Sequence, residues 1–342
     1  MVLALIGSIV SASVVKLDYY AFRPGSVRDT SGLIEVAGAE TFPAEGTISY
    51  TTVSLRHVSL FQLVQGWIDP DIDIHSESEV LQGRDREENR QVNLQLMDTS
   101  QEFATQVALE ALGYEVPVSI TGQLVLDVQG GFPADGVLEA GDTIVAIDGE
   151  RLDDPQDLER LLDDEGPGDE AVLTVLPFTE TAEEEVAMTL AASPDDVEQG
   201  VMGVQVQPTG IEFDFPIDAT FDTGEVGGPS AGLAFALALI DALTPGELTG
   251  GVSVAVTGTI EPDGAVGPIG GAGQKAAAAR EAGVDVFLVP SADYESAVAH
   301  AGDVEVVRVD SLDEALAALA EFGGNGLDLP NLAEDSSADE TD

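Results

Sequence analysis

A serine and a lysine, 45 positions apart, carry the chemistry that the sequence offers most clearly. Ser230 sits in Gly227-Gly228-Pro229-Ser230-Ala231-Gly232, a glycine-flanked turn running into the apolar stretch AGLAFALALIDAL. Pro229 suits the first turn of a helix, where a missing N–H is no loss. Ala231 to Leu243 is apolar on nearly every face, which predicts a buried helix. A serine at the positive end of that helix is placed to act as a nucleophile, with main-chain N–H groups beside it for an oxyanion. The base it needs is Lys275. The chain has two lysines, and Lys16 lies beside the N-terminal apolar segment. Lys275 follows Gly270-Gly271-Ala272-Gly273-Gln274 and enters an alanine-rich helix. A lysine desolvated among alanines loses affinity for its proton and works as a base near neutral pH.

Other chemistry fits less well. Gly228-Pro229-Ser230-Ala231-Gly232 matches the G-x-S-x-G elbow of esterases, but that elbow needs a strand before it and a histidine after it. FDTGEVG is a poor strand, and the one histidine downstream is His300, in SAVAHAGD, which reads as an ordinary helix surface. No G-x-x-x-x-G-K-[ST] phosphate loop occurs in the sequence. Asp69, Asp71, Asp73 and His75 alternate but lack the glycine and closing glutamate of a calcium loop, so an exposed polar face is expected rather than a metal site. Neither metal nor cofactor is expected.

GGPSAG (227–232), TGTI (257–260) and VGPIGGAGQKAAAAREAGVDVFLVP (266–290) together resemble the proteolytic domain of Lon proteases. The resemblance implies an α+β proteolytic domain in which Ser230 is the nucleophile, Lys275 its base, and Thr257 a hydrogen-bonding neighbour of the lysine. Gly228, Pro229 and Ala231 support the serine. Two positions depart from the family pattern. Gly227 stands where many members carry aspartate, and Thr259 where a glutamate is frequent. The whole layout resembles the membrane-anchored PDZ–Lon proteins, which have no ATPase module.

The elements that must hold these residues follow along the chain. The 342 residues suffice for two or three compact units with sizeable cores. A net charge of −52, from 64 acids against 12 bases, excludes nucleic acid as a partner and predicts a solvated acidic surface. Cysteine is absent, which excludes disulfides and thiol chemistry. Met1 to Val15 is apolar but, at about 15 residues, shorter than the roughly 20 of a membrane span. Three readings stay open for it: a signal-anchor that begins further upstream, a cleaved signal peptide, or a core helix. The resemblance implies the anchor, with the catalytic body outside the cytoplasm.

Alternation over 19–50 predicts short strands; 59–68 and 99–112 read as helices, the latter capped by Thr99 or Ser100. Strand GQLVLDV, then PADG, VLEAGDTIVAIDGERL, a helix from Pro155 to Leu162 and strand AVLTVLPF resemble a bacterial PDZ domain, although its carboxylate-binding loop is not readable. SPDDVEQG (193–200) reads as a linker. The expected organisation is α+β: an anchor or signal segment over 1–17, an N-terminal α+β region over 18–114, a β-rich PDZ-like domain over 115–192, a Lon-type domain over 193–327 and a disordered acidic tail over 328–342.

The function implied is an ATP-independent serine endopeptidase acting on extended or unfolded polypeptide, with the PDZ unit recruiting substrate. A PDZ-based membrane scaffold with an inactive Lon-like domain is the alternative, and a G-x-S-x-G esterase a lesser one. Family members assemble as hexamers, so the resemblance implies a homo-oligomer.

Overall fold

The structure, a computed structural model, describes residues 16–333 apart from 60–61, 64–65, 67, 82–83, 164, 179–180 and 195. The expected anchor lies almost wholly outside the described residues, as do most of the acidic tail and much of the helix expected over 59–68. Among the described residues no helix is long and apolar enough to cross a membrane.

The chain begins with strands β1 (Lys16–Asp29), β2 (Ile34–Ala37), β3 (Thr47–Ser59) and β4 (Asp73–Ser76), then helix α1 (Arg86–Ala111). Helix α1 starts 13 residues before the expected position. Its cap is a capping box: Glu88 N–H donates to Asp85 Oδ1 at 2.8 Å while Asp85 N–H donates to the Glu88 carboxylate. Thr99 and Ser100 therefore lie mid-helix, where Ser100 is buried.

A β-rich unit follows: β5 (Gly122–Val128), β6 (Thr143–Ile147), helix α2 (Asp157–Leu162), β7 (Glu170–Leu176), β8 (Glu184–Thr189) and β9 (Val204–Thr209). Its antiparallel sheet runs β8-β7-β6-β5-β9, so β9 is an edge strand. Strand β7 shows the alternation that buries one face, with Ala171, Leu173 and Val175 in the core beside Ile144 and Ile147. Residues 193–200 are part of this unit and not a linker between units, since Ser193 N–H donates to Gln199 O at 3.0 Å. Just ahead of β9 the chain turns at Gly203, whose φ is +81°.

The remainder is β10 (Asp218–Phe221), α3 (Gly232–Leu243), β11 (Ser253–Val256), β12 (Thr259–Ile260), β13 (Val266–Gly267), α4 (Ala272–Ala282), β14 (Val286–Val289), α5 (Tyr294–Ala301), β15 (Glu305–Arg308) and α6 (Leu312–Glu321). These elements do not form a unit alone. The large sheet has the order β15-β14-β11-β3-β1-β4, with β11 parallel to both β3 and β14. Ser253 to Val256 pair with Thr47 to Tyr50, and β10 pairs with β2. The chain thus divides into two units, one of residues 1–115 with 216–342 and one of 116–215.

This corrects the expected separation of 18–114 from 193–327. The physical reason is β11 and β14: their central residues are fully buried apolar runs, as in a parallel sheet covered on both faces. Without β3, β11 would present an unpaired apolar edge. Helix α3 packs against α1 and β3, its Phe235 ring 5.5 Å from Tyr50 and 4.8 Å from Phe221. Burying each such side chain is worth about 1.5–3 kcal/mol, so α3 needs both halves of the chain around it.

The inserted unit enters and leaves through a two-residue antiparallel pairing, Val118 with Phe213 and Ser119 with Glu212. Excising 116–215 and joining the ends with a short glycine–serine linker should therefore leave a cooperatively folding protein. The fragment 216–342 alone should not fold. Circular dichroism and urea unfolding of both proteins check this, and a folded 216–342 fragment would contradict the two-segment core.

Candidate active site

Three loops converge on one point. The first is 227–231, between β10 and α3. It is not a strand, as an esterase elbow would need. Helix α1 fixes its path: Gly228 N–H donates to Asn93 O at 2.7 Å, and Ser100 Oγ to Pro229 O at 3.0 Å. Gly228 has φ +97°, a left-handed conformation that favours glycine. Gly227 is glycine for a different reason. A Cβ there would come within 2.9 Å of Asn93 backbone and side-chain atoms, so the aspartate of related sequences has no room.

The second loop continues β11. Thr257 is fully buried, and its N–H donates to Leu288 O at 3.0 Å. Its hydroxyl donates to Ser230 O at 3.1 Å, and Gly258 N–H donates to the same oxygen at 3.0 Å. The third segment is the start of α4. Its N-cap, Gly271, has φ +71°, and a Cβ there would meet Val53 on β3. Ala276 to Ala279 are all buried, because only small side chains let α4 lie close on β1 and β3.

Lys275, only 2% exposed, projects from this helix into the junction. Its Nζ donates to Ser230 Oγ at 2.7 Å and to Thr257 Oγ1 at 2.9 Å. No carboxylate forms an ion pair with it among the described residues. Burial pushes the Lys275 ammonium down to about 7, opposed by the more distant negative charge of Asp293. Asp293 is itself held by accepting from Ile269 N–H at 2.9 Å. Ser230 and Lys275 open onto a cleft of about 740 Å³, lined also by Gly228, Pro229, Ala231 and Thr259. The N–H groups of Ser230 and Ala231 donate to no protein acceptor among the described residues.

All the residues singled out in the sequence are here: Ser230, Lys275, Thr257, Gly228, Pro229 and Ala231. His300 is not. It sits on α5 with Nδ1 2.9 Å from Ser296 O and Nε2 3.1 Å from Pro70 O, so it gives Ser230 no base. The alternating acids are not a plain exposed face either. Asp71 pairs with Arg280 at 2.7 Å and Asp73 accepts from Gln274 at 2.8 Å, which brackets the helix that carries Lys275. Sequence reasoning missed these two, and missed Asn93 and Ser100. Only a long-range partner gives them meaning, so no local pattern marks them.

The buried lysine should be readable in stability. Below about pH 7 it is charged in both folded and unfolded chains, and the full desolvation cost applies. Between about 7 and 10.5 the unfolded chain binds the extra proton, so folded stability rises with pH. Relative to Lys275→Met, wild-type stability should therefore gain about 2–3 kcal/mol between pH 7 and 9. Parallel urea titrations of the two proteins measure this; a constant difference would mean that the lysine is not desolvated.

Two family models match parts of the chain. Residues 214–320 match the model of the Lon protease (S16) C-terminal proteolytic domain, and residues 99–187 that of the PDZ domain. The Lon protease of Clostridioides difficile (strain 630) is 39% identical over 103 residues, which is 29% of this chain and 13% of that protein. That of Campylobacter concisus (strain 13826) is 34% identical over 94 residues, 26% of this chain and 11% of the relative. A probable periplasmic serine endoprotease DegP-like of Brucella suis biovar 1 (strain 1330) is 42% identical over 59 residues, 17% of this chain and 11% of its own. The chain thus spans little more than a tenth of the length of these relatives. Within its own length, it joins a PDZ domain to a proteolytic domain of the Lon type.

Proposed function

We propose that the chain is an ATP-independent serine endopeptidase with a Ser230–Lys275 dyad. The observation that carries this reading is the 2.7 Å contact between Lys275 Nζ and Ser230 Oγ, made by a lysine whose burial leaves it about half deprotonated near pH 7. Neutral Lys275 takes the Ser230 proton as Oγ attacks the scissile carbonyl. The Ser230 and Ala231 N–H groups receive the developing oxyanion, and Thr257 keeps Nζ aimed by accepting one of its hydrogens. The ammonium then protonates the leaving amine, and water activated by the same lysine releases the acyl group.

The resemblance of the layout to PDZ–Lon proteins that have no ATPase module supports action without ATP on segments already extended. The apolar stretch Met1 to Val15 supports a membrane tether with the catalytic body outside the cytoplasm, and the Lon resemblance supports a hexamer.

The inserted unit supplies a recruiting surface. Edge strand β9 and helix α2 flank a groove of about 600 Å³, lined by Phe132, Leu158, Leu162, Met202, Val204 and Val206. An extended peptide can add to the free edge of β9 while α2 receives its side chains. The loop at 200–203 lines the same groove just before β9, which supports a carboxylate-capturing segment near the end of the unit's sequence. The family match stops at residue 187, before this loop.

Ser230→Ala should abolish peptide cleavage and labelling by a fluorophosphonate with the fold intact. Lys275→Arg should be inactive at every pH, because arginine cannot take up the serine proton. Wild-type kcat/KM should rise with pH through about 7, following the neutral fraction of Lys275. An active arginine variant would exclude lysine as the base. Removing 116–215 should lower cleavage of protein substrates by about tenfold or more while sparing short peptides, as a recruiting groove worth about 1.4 kcal/mol or more requires. Equal losses on both would make the unit a spacer, and an inert wild type that still binds peptides through β9 would favour the scaffold.

A further inference from the structure

The chain carries only 12 basic residues against 64 acids, and where the arginines stand is informative. Arg86, Arg90, Arg151, Arg160 and Arg280 each hold a carboxylate within 3.1 Å. Arg28 and Arg56 hold none among the described residues. Their Nε groups reach only hydroxyls, of Ser26 at 3.2 Å and Ser54 at 3.4 Å. Both arginines are exposed, and both line the cleft that contains Ser230 and Lys275. Arg23, between the lining residues Phe22 and Pro24, has Nε and Nη2 shielded from solvent with no protein acceptor. The one carboxylate in the cleft lining among the described residues is Glu225, and Arg90 already pairs with it at 2.7 Å.

In so acidic a chain, free guanidinium groups have many carboxylates to draw on. Two left unpaired at one cleft leave a local positive field within an overall negative protein. Their spacing gives that field a shape. On the β1–β3 hairpin Arg28 lies opposite Tyr50 and Arg56 opposite Ala21. Positions 50 and 56 of one strand are roughly 20 Å apart, the length of about six residues of extended peptide. Beyond Phe22, β1 is no longer covered by β4, and Pro24, Ser26 and Arg28 face the cleft.

We propose that Arg28 and Arg56 are specificity-determining residues that select extended polypeptide segments with Asp or Glu side chains on both flanks of the scissile region. This rests on the peptidase reading and names its substrate class. Guanidinium groups receive carboxylates with paired N–H donors. At exposed positions the two contacts together amount to a preference of about fivefold at low salt. Screening over about 3 Å at 1 M salt removes most of it.

The test uses two capped peptides, alike except that Glu residues on either side of a six-residue apolar stretch are replaced by Gln. Binding is read by fluorescence anisotropy on full-length Ser230→Ala, so that it does not depend on catalysis. The Glu peptide should bind about fivefold more tightly. The ratio should fall towards one in 1 M sodium chloride, and likewise when Arg28→Gln and Arg56→Gln are added, singly in part and together in full. Equal affinities, absence of binding by the Glu peptide, or a ratio that survives both the substitutions and the salt would overturn the proposal. Cleavage by the wild type is a separate readout. If the Gln peptide is cut in a Ser230-dependent way without an acid preference, the specificity proposal fails and the peptidase stands. If the arginine-dependent preference is present and neither peptide is cut, the peptidase reading alone fails.

Discussion

Everything in the proteolytic unit depends on keeping one ammonium group out of water and away from carboxylates. Taking lysine from water into a protein interior disfavours its charged form, and that penalty leaves Lys275 partly neutral near pH 7. A carboxylate in contact would cancel the effect by pairing with it. The fold meets the first demand with a helix of small residues, Ala272 to Ala279, laid against β1 and β3. It meets the second by giving Nζ, among the described residues, only hydroxyl partners, Ser230 and Thr257. The acids that do approach α4 are engaged elsewhere: Asp71 with Arg280, Asp73 with Gln274. They hold the helix in place without facing the ammonium.

That arrangement explains why the unit is made from two distant stretches of chain. Helix α4 needs β1 and β3 beneath it, and the loop carrying Ser230 needs α1 behind it. All three precede the inserted unit, while Ser230, Thr257 and Lys275 follow it. The pairing of residues 47–50 with 253–256 joins them. Such long-range parallel pairing forms slowly, since loop entropy is lost before the contacts form. The short pairing of 118–119 with 212–213 limits this cost by bringing the flanks of the insertion together as that unit folds.

Much of the contact between Ser230 and Lys275 was legible in the sequence because its geometry leaves few residue choices. Gly228 and Gly271 occupy left-handed positions, Pro229 opens a helix, and a lone lysine among alanines has little other use. The partnership of the two ends of the chain was not legible. Strand alternation records which face is buried but not which strand lies alongside, so 18–114 read as a separate region. Ser100 read as a helix cap because caps are local, whereas its partner, Pro229 O, is 129 residues away. Asp85, a stronger cap, was hidden within a run of charges. In the inserted unit the loop at 200–203 read as no more than the end of a linker, because its place beside the groove comes from the pairing of β9, just after it, with β5, some 80 residues earlier.

The extreme acidity of the chain works towards a protonated Lys275, and magnitudes decide against it. A surface carboxylate 10 Å from Nζ acts with about 0.4 kcal/mol in water. Salt at physiological strength screens that to about 0.1 kcal/mol, or roughly a tenth of a pKa unit. Burial shifts the lysine from 10.5 to about 7, a change that dozens of screened surface acids are needed to offset. The acids lie mostly on the outside of the unit, where salt reaches them, and the one whose charge is felt at Nζ is Asp293. Composition therefore sets how the surface meets its solvent, while the packing of α4 against two strands sets the proton affinity at the site. The two are nearly independent, which is why so acidic a protein can keep a lysine with a lowered proton affinity.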